Sequence, residues 1–194
     1  MAKYCCIDRE KGRSVSRQSK FLSLILRHKP EEAGLTVDPA GWVPIDRLLR
    51  AVKAHGRPMS REELIDLIEG SKKQRFSISA DGKLIRAAQG HSIDVDLGLT
   101  PRETPITLYH GTARHNLNDI FAVGLQPMRR RQVHLSVAPA DAEAVGRRHW
   151  KPVVLRLAAL SMHEQGHVFF RADNGVWLVD AVPPQFIGFW TEGT

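Results

Sequence analysis

Ile106-Thr107-Leu108-Tyr109-His110-Gly111-Thr112 joins a strand-like apolar run to a histidine set among small and hydroxyl residues. Some twenty residues on, Arg129-Arg130-Arg131-Gln132 leads into a second such run, Val133-His134-Leu135-Ser136. At the end of a strand, glycine lets the backbone approach a ligand closely. Imidazole and hydroxyl groups there can hydrogen-bond a ribose or a phosphate, and the arginine triplet brings charge for a polyanion. Alone, His-Gly-Thr is a turn after a strand and an arginine triplet a solvated loop. Paired across Gly124-Leu125, they point to a nucleotide pocket beside a site for a further phosphate.

Around this pair the second half of the chain reads mostly as strands: 106–109, 133–136, 153–157, 167–171, 176–179 and 186–190. Two short helices are expected among them, 116–123 closed by Gly124 and 140–149. Asn174-Gly175 reads as a hairpin turn. The stretch 91–105 lacks a period and contains Gly98, Pro101 and Pro105, so it is expected as a linker.

The first half carries helical signals. Phe21, Leu22, Leu24, Ile25 and Leu26 form an apolar stripe over 14–28, with Ser14, Ser16 or Ser19 as N-cap and Pro30 ending the helix. Asp38-Pro39-Ala40-Gly41 reads as a turn before a short edge strand, Trp42–Ile45. Asp46 is expected to cap a helix over 47–54, and Ser60-Arg61-Glu62-Glu63 is a capping box for another to about Glu69. Phe76–Ser79 and Lys83–Arg86 flank Asp81-Gly82, a hairpin signal. Three helices, a short strand and a hairpin make a winged-helix-like module over 17–90 behind a basic tail, 1–16. Period-two alternation puts Phe76 and Ile78 inward and Arg75 on the opposite face.

Of the 194 residues, 42% are hydrophobic and 25% charged, ordinary for a globular protein. The length allows one large domain or two small ones. The net charge of +7 falls in residues 1–90, with 18 Lys and Arg against 11 Asp and Glu; beyond them 10 face 10. That asymmetry suits a first half that grips a polyanion. Cys5 and Cys6 are adjacent and have no further cysteine to pair with, which excludes a disulfide framework or a cysteine zinc site. Metal catalysis is not expected. No apolar run approaches membrane-spanning length, and residues 1–19 lack the apolar core of a secretory signal, so the expected location is cytoplasmic.

Ser19-Lys20-Phe21-Leu22-Ser23-Leu24-Ile25-Leu26-Arg27-His28-Lys29-Pro30, Gly41-Trp42 and Lys73-Gln74-Arg75-Phe76 together resemble the first lobe of the RNA 2'-phosphotransferases, the Tpt1/KptA enzymes. Leu108–Thr112, Gly124-Leu125, Val133–Ser136, Asn174–Leu178 and Val182-Pro183-Pro184 resemble the second lobe. The ordered set runs from about Arg17 to Trp190. The resemblance implies an α+β chain: a winged-helix-like RNA-binding lobe (17–90), a linker (91–105) and a β-rich lobe (106–194) of the ADP-ribosyltransferase type that binds NAD.

It also implies a two-step removal of an internal 2'-phosphate from RNA, typically at a tRNA splice junction, with NAD consumed and no metal. The catalytic set falls on Arg27, His28, Arg75 and one arginine of the triplet. The family spacing to His134 selects Arg130, with Arg129 and Arg131 left as alternatives. His110, Gly111, Thr112, His134 and Ser136 are the NAD candidates, and the protein is expected to act as a monomer. Gln132 departs from the family, many members of which have histidine there. The late strand, Val176–Val179, has no glutamate of the kind many ADP-ribosyltransferases carry. A phosphate nucleophile is already anionic and needs no such base. Two other functions share these features: ADP-ribose transfer to nucleic-acid ends or to protein, and non-catalytic nucleic-acid binding.

Overall fold

Leu22, Ile25 and Leu26 recur on one face of the first helix, α1 (17–27), and all three are fully buried. Burial of side chains of this size contributes roughly 1.5–3 kcal/mol each. The structure is a computed structural model and describes residues 17–71, 74–147 and 151–191. The expected basic tail, the caps Ser14 and Ser16, Lys73 and the end of the helix expected to reach His149 lie outside these residues. Ser19 lies inside α1 and is buried, so it is not the cap. By contact the chain divides into two compact units at Gly98 and Leu99.

In the first unit, Lys29 leaves helical geometry (φ −145°, ψ 58°) because the proline that follows disfavours it. Pro30 then opens a 3-10 turn, Pro30–Ala33, closed by Gly34 in the left-handed region (φ 62°). Helix α2 covers Ile45–Ala54 and begins two residues earlier than expected, with Pro44 rather than Asp46 at its N-cap. Helix α3 covers Arg61–Glu69. Its capping box is present: Ser60 Oγ accepts from the Glu63 amide at 3.1 Å, and Glu63 Oε2 accepts from the Ser60 amide at 2.8 Å. Strands β1 (Val43–Pro44), β2 (Phe76–Ile78) and β3 (Leu84–Ala87) form an antiparallel sheet in the order β1-β3-β2. Phe76 pairs with Ala87, and Ile85 lies between Val43 and Ile78. The turn is locked by Asp81, whose carboxylate accepts from Ser79 Oγ and the Lys83 amide, bonds that hold its pKa below the usual value.

The second unit holds two three-stranded antiparallel sheets. One has the order β4-β6-β9: Leu108–Ala113, Pro152–Leu157 and Ile187–Phe189. The other has the order β5-β8-β7: Val133–Leu135, Trp177–Val179 and Phe169–Arg171. Helices α4 (Leu117–Val123), α5 (Pro139–Gly146) and α6 (Ala159–Glu164) connect them; α6 was not expected. The Asn174-Gly175 turn joins β7 to β8, with Gly175 at φ 80° and Asn174 Oδ1 accepting from the Val176 amide. Leu108, Leu135, Leu155, Leu157 and Phe169 form the centre of its core, and Trp177 is part of it. The architecture is α+β.

The segment expected as a linker is engaged at both ends. In the first unit His91 and Val95 are buried and the Asp96 amide donates to the Pro39 carbonyl at 2.8 Å. In the second, the Arg102 amide donates to the Phe169 carbonyl at 2.8 Å.

Candidate functional site

The end of α1 gathers three of the four expected catalytic residues. Arg27 lies in the last turn, half-buried, and its Nη2 donates to the main-chain carbonyl of Arg75 at 3.2 Å. Arg75 stands just before β2, and its Nη1 donates to Ser19 Oγ at 3.0 Å. Ser19, Ser23 and Arg27 follow each other at four-residue spacing, so they share one face of α1; Ser23 Oγ in turn donates to the Ser19 carbonyl. His28 follows directly, with Nδ1 2.9 Å from the hydroxyl of Ser92. Two guanidinium groups and an imidazole thus stand on one surface. That composition can hold a doubly charged phosphate through planar forks and move a proton near neutral pH.

Charge on the neighbouring helices is sorted. Helix α2 exposes Arg47, Arg50 and Lys53 beside one carboxylate, Asp46, whereas α3 exposes Glu62, Glu63, Asp66 and Glu69. A nucleic-acid strand is attracted to the first surface and repelled by the second.

In the second unit, His110 and Thr112 point to one side of β4 and Gly111 to the other. A side chain at Gly111 would stand 1.8 Å from the Ala142 carbonyl oxygen. The close approach that this glycine permits is therefore made by helix α5, not left open for a ligand. Nor does β4 end before the histidine as expected: it runs on to Ala113, paired with β6 along its whole length. Gly124 is explained similarly, since a Cβ there would meet the Val182 carbonyl oxygen at 2.2 Å where Leu125 and Val182 bridge.

Tyr109 and Ser136 exchange both backbone hydrogen bonds at 2.8 Å, which joins the two sheets and brings the two histidine strands side by side. His110 Nδ1–H donates to the main-chain carbonyl of His134 at 3.0 Å. Burial pushes the His110 pKa below the usual histidine value. The bond to the carbonyl opposes that shift, and the positive charge of Arg130 reinforces it. His110 is neutral at pH 7, with its hydrogen on Nδ1 and a lone pair on Nε2 that can accept from a sugar hydroxyl. Thr112 is buried and its Oγ1 accepts from Asn116 Nδ2 at 3.3 Å, so it ties the strand to the next turn. Arg129, Arg130 and Arg131 are all exposed. Of the three, it is Arg130 whose charge bears on His110. Gln132 Nε2 donates to Asp180 at 3.1 Å.

The sequence offers Ser19 as a cap rather than as a partner of Arg75, and it gives Ser92 no role. Ser92 sits in the aperiodic stretch after β3, where the sole signal was Gly90, at φ 86°.

Comparison with known proteins gives the family. Residues 13–181 match the family described as "RNA 2'-phosphotransferase, Tpt1 / KptA family". The chain is 51% identical over 170 residues to a probable RNA 2'-phosphotransferase of Pectobacterium carotovorum, covering 87% of this chain and 91% of that one. It is 48% identical over 169 residues to a protein of the same description from Nostoc punctiforme, covering 87% and 93%. A third, from Agrobacterium fabrum, is 50% identical over 169 residues, covering 87% and 91%. With the matched region spanning most of the sequence, the chain belongs to the Tpt1/KptA family of RNA 2'-phosphotransferases.

Proposed function

We propose that the protein removes an internal 2'-phosphate from RNA, of the kind left at a tRNA splice junction, and consumes NAD in doing so. The RNA 2'-phosphate attacks C1'' of the nicotinamide ribose and displaces nicotinamide, forming RNA-2'-phospho-ADP-ribose. The ribose 2''-OH then attacks the phosphorus, and the RNA 2'-oxygen leaves. The products are RNA with a 2'-OH and ADP-ribose 1'',2''-cyclic phosphate.

The observation that carries this reading is the convergence of Arg27, His28 and Arg75 at the end of α1. Arginine forks stabilise the charge that spreads over the equatorial oxygens as phosphorus is attacked. His28 takes the 2''-OH proton or returns one to the leaving 2'-oxygen, the general acid–base work to which an imidazole is suited. The neutral His110 accepts from a ribose hydroxyl of NAD through Nε2, while His134 and Ser136 line the same strand pair. Arg130 supplies a guanidinium for phosphate. The exposed cations of α2 offer a track for the RNA backbone, which α3 does not. The protein acts in the cytoplasm as a monomer.

The buried late strand supports a phosphate acceptor over a protein one. Trp177, Leu178 and Val179 are all buried, so β8 presents no side chain that could serve as base for a neutral nucleophile. The test is to incubate the purified protein with NAD and a short RNA bearing one internal 2'-phosphate. Nicotinamide, 2'-OH RNA and the cyclic phosphate are the expected products. ADP-ribosylated RNA as the end product, or free phosphate released without NAD, would overturn the proposal.

A further inference from the structure

We infer that Ser92 is a positioning residue for His28: it holds the ring at Nδ1 and leaves Nε2 as the nitrogen that exchanges a proton with substrate. Ser92 is tied to both neighbouring site residues. Its hydroxyl is 2.9 Å from His28 Nδ1, and its amide donates to the Arg27 carbonyl at 2.9 Å. The second bond belongs to the main chain and fixes where the hydroxyl stands, whatever the side chain is doing.

The segment carrying Ser92 is itself clamped. Arg86 Nη1 donates to the Leu97 carbonyl at 3.1 Å and the Ala40 carbonyl at 3.3 Å, and its guanidinium lies 4.5 Å from the centre of the Trp42 ring. With buried His91 and the Asp96–Pro39 bond, this presses residues 91–97 onto the Asp38–Gly41 turn. Gly41-Trp42, conspicuous in the sequence without a chemical role, thereby helps fix the partner of the histidine.

The type of partner matters. A backbone carbonyl can accept only, so the carbonyl facing His110 locks that ring with hydrogen on Nδ1. A serine hydroxyl donates to a bare Nδ1 and accepts from a protonated one. While Nε2 gives and takes the proton, Nδ1 keeps its hydrogen in both states, and the Ser92 hydroxyl accepts from it throughout. Ring orientation is kept through a full cycle without the added charge of a carboxylate next to a phosphate.

This inference rests on the proposed role of His28 in proton transfer, and the experiment separates the two. The full chain is prepared as Ser92→Ala and Ser92→Thr, with nitrogen-15 labelled histidine. The ring signals of His28 are identified by their loss in His28→Gln. In Ser92→Ala the His28 tautomer ratio should change from that of the wild type, and in Ser92→Thr it should return. Steady-state kinetics with NAD and 2'-phosphorylated RNA should show kcat lowered roughly tenfold to a hundredfold in Ser92→Ala, by analogy with loss of an outer partner of a metal-bound histidine. KM for both substrates should stay within about twofold, and threonine should restore the rate to within a few-fold of wild type. Ser92→Cys, of similar shape but a weak hydrogen-bond partner, takes the place of alanine should that variant fail to fold. An unchanged His28 tautomer ratio in the alanine or cysteine variant would overturn the inference, as would threonine no better than alanine. Wild-type protein that transfers no 2'-phosphate would defeat the proposed function, while the ring signals would still decide the Ser92 contact.

Discussion

Arg27 donates to the main chain of Arg75, while the side chain of Arg75 donates to Ser19, two turns back along the helix that carries Arg27. The two elements brace each other through uncharged oxygens, and each of these contacts uses one N–H of a guanidinium that has five. The brace sets two like charges near each other before any phosphate arrives. Under the proposed function, a bound phosphate dianion relieves their repulsion, an arrangement that would favour the more highly charged phosphorane over the ground state.

Arg75→Ala and His28→Ala should therefore slow the second step more than the first. RNA carrying 2'-phospho-ADP-ribose should accumulate and be visible as a shifted band on a denaturing gel. A series in which every variant loses nicotinamide release, with no trapped species, refutes the partition.

Arg130 is exposed like its two neighbours in the free chain. Under the proposed function it is the one that the substrate phosphate covers. Arg130→Ala should therefore lower turnover on the order of a hundredfold or more, as when one partner of a charge pair desolvated in the complex, worth about 2–5 kcal/mol, is removed. Arg129→Ala and Arg131→Ala should cost a few-fold, because exposed charges contribute about 0–1 kcal/mol. That smaller loss should shrink as salt rises. Lysine at 130 should rescue poorly, since an ammonium cannot form the fork. Equal losses at all three positions would show that Arg130 has no special part.

His110 should stay neutral well below the pH at which a free histidine titrates, because burial depresses its pKa in the folded chain. As pH falls through the ordinary value, the unfolded chain takes up a proton that the folded chain refuses. Its contribution to stability is thus present above that pH and lost as pH falls toward the folded value. NAD affinity, measured by calorimetry, should be insensitive to this residue between pH 7 and 8 and weaken only in more acid solution. His110→Asn should flatten the acid limb of the thermal-stability profile; an unchanged limb would contradict the assignment.

Gly111→Ala should destabilise the second unit by several kcal/mol, since the added carbon has backbone, not a movable side chain, in its way. A melting temperature within a degree or two of wild type would show that α5 can move off β4.

What the sequence made legible was the chemistry of ends and turns. The Ser60 box, the Asp81-Gly82 hairpin and the Asn174-Gly175 turn each carry their own local signal and stand where expected. Helix α6 was missed because it has six residues, too few for a periodic stripe, and Ala158 gives its N-cap no side-chain bond. The sequence ends strand β4 at Tyr109 because Gly111 reads as a strand-end glycine open to a ligand; its glycine is demanded by a helix thirty residues away in sequence. For the same reason Ser92 was invisible: its partner lies 64 residues earlier, and no local pattern marks such a pairing. Arg27, His28 and Arg75 came from the ordered family motifs; only the folded chain shows them joined.

The strand β8 lies between β5 and β7 with every one of its three side chains in the core. A glutamate placed at any of them would be forced out of water, at a cost of several kcal/mol unless it stayed protonated. Divergence toward a protein-modifying transferase could not begin with that single replacement, because the first step would unfold the lineage it was meant to found. One face of the strand would have to open beforehand. Under the proposed function, acceptor preference would then be inherited with the packing of this strand, and descendants that change one would first remodel the other.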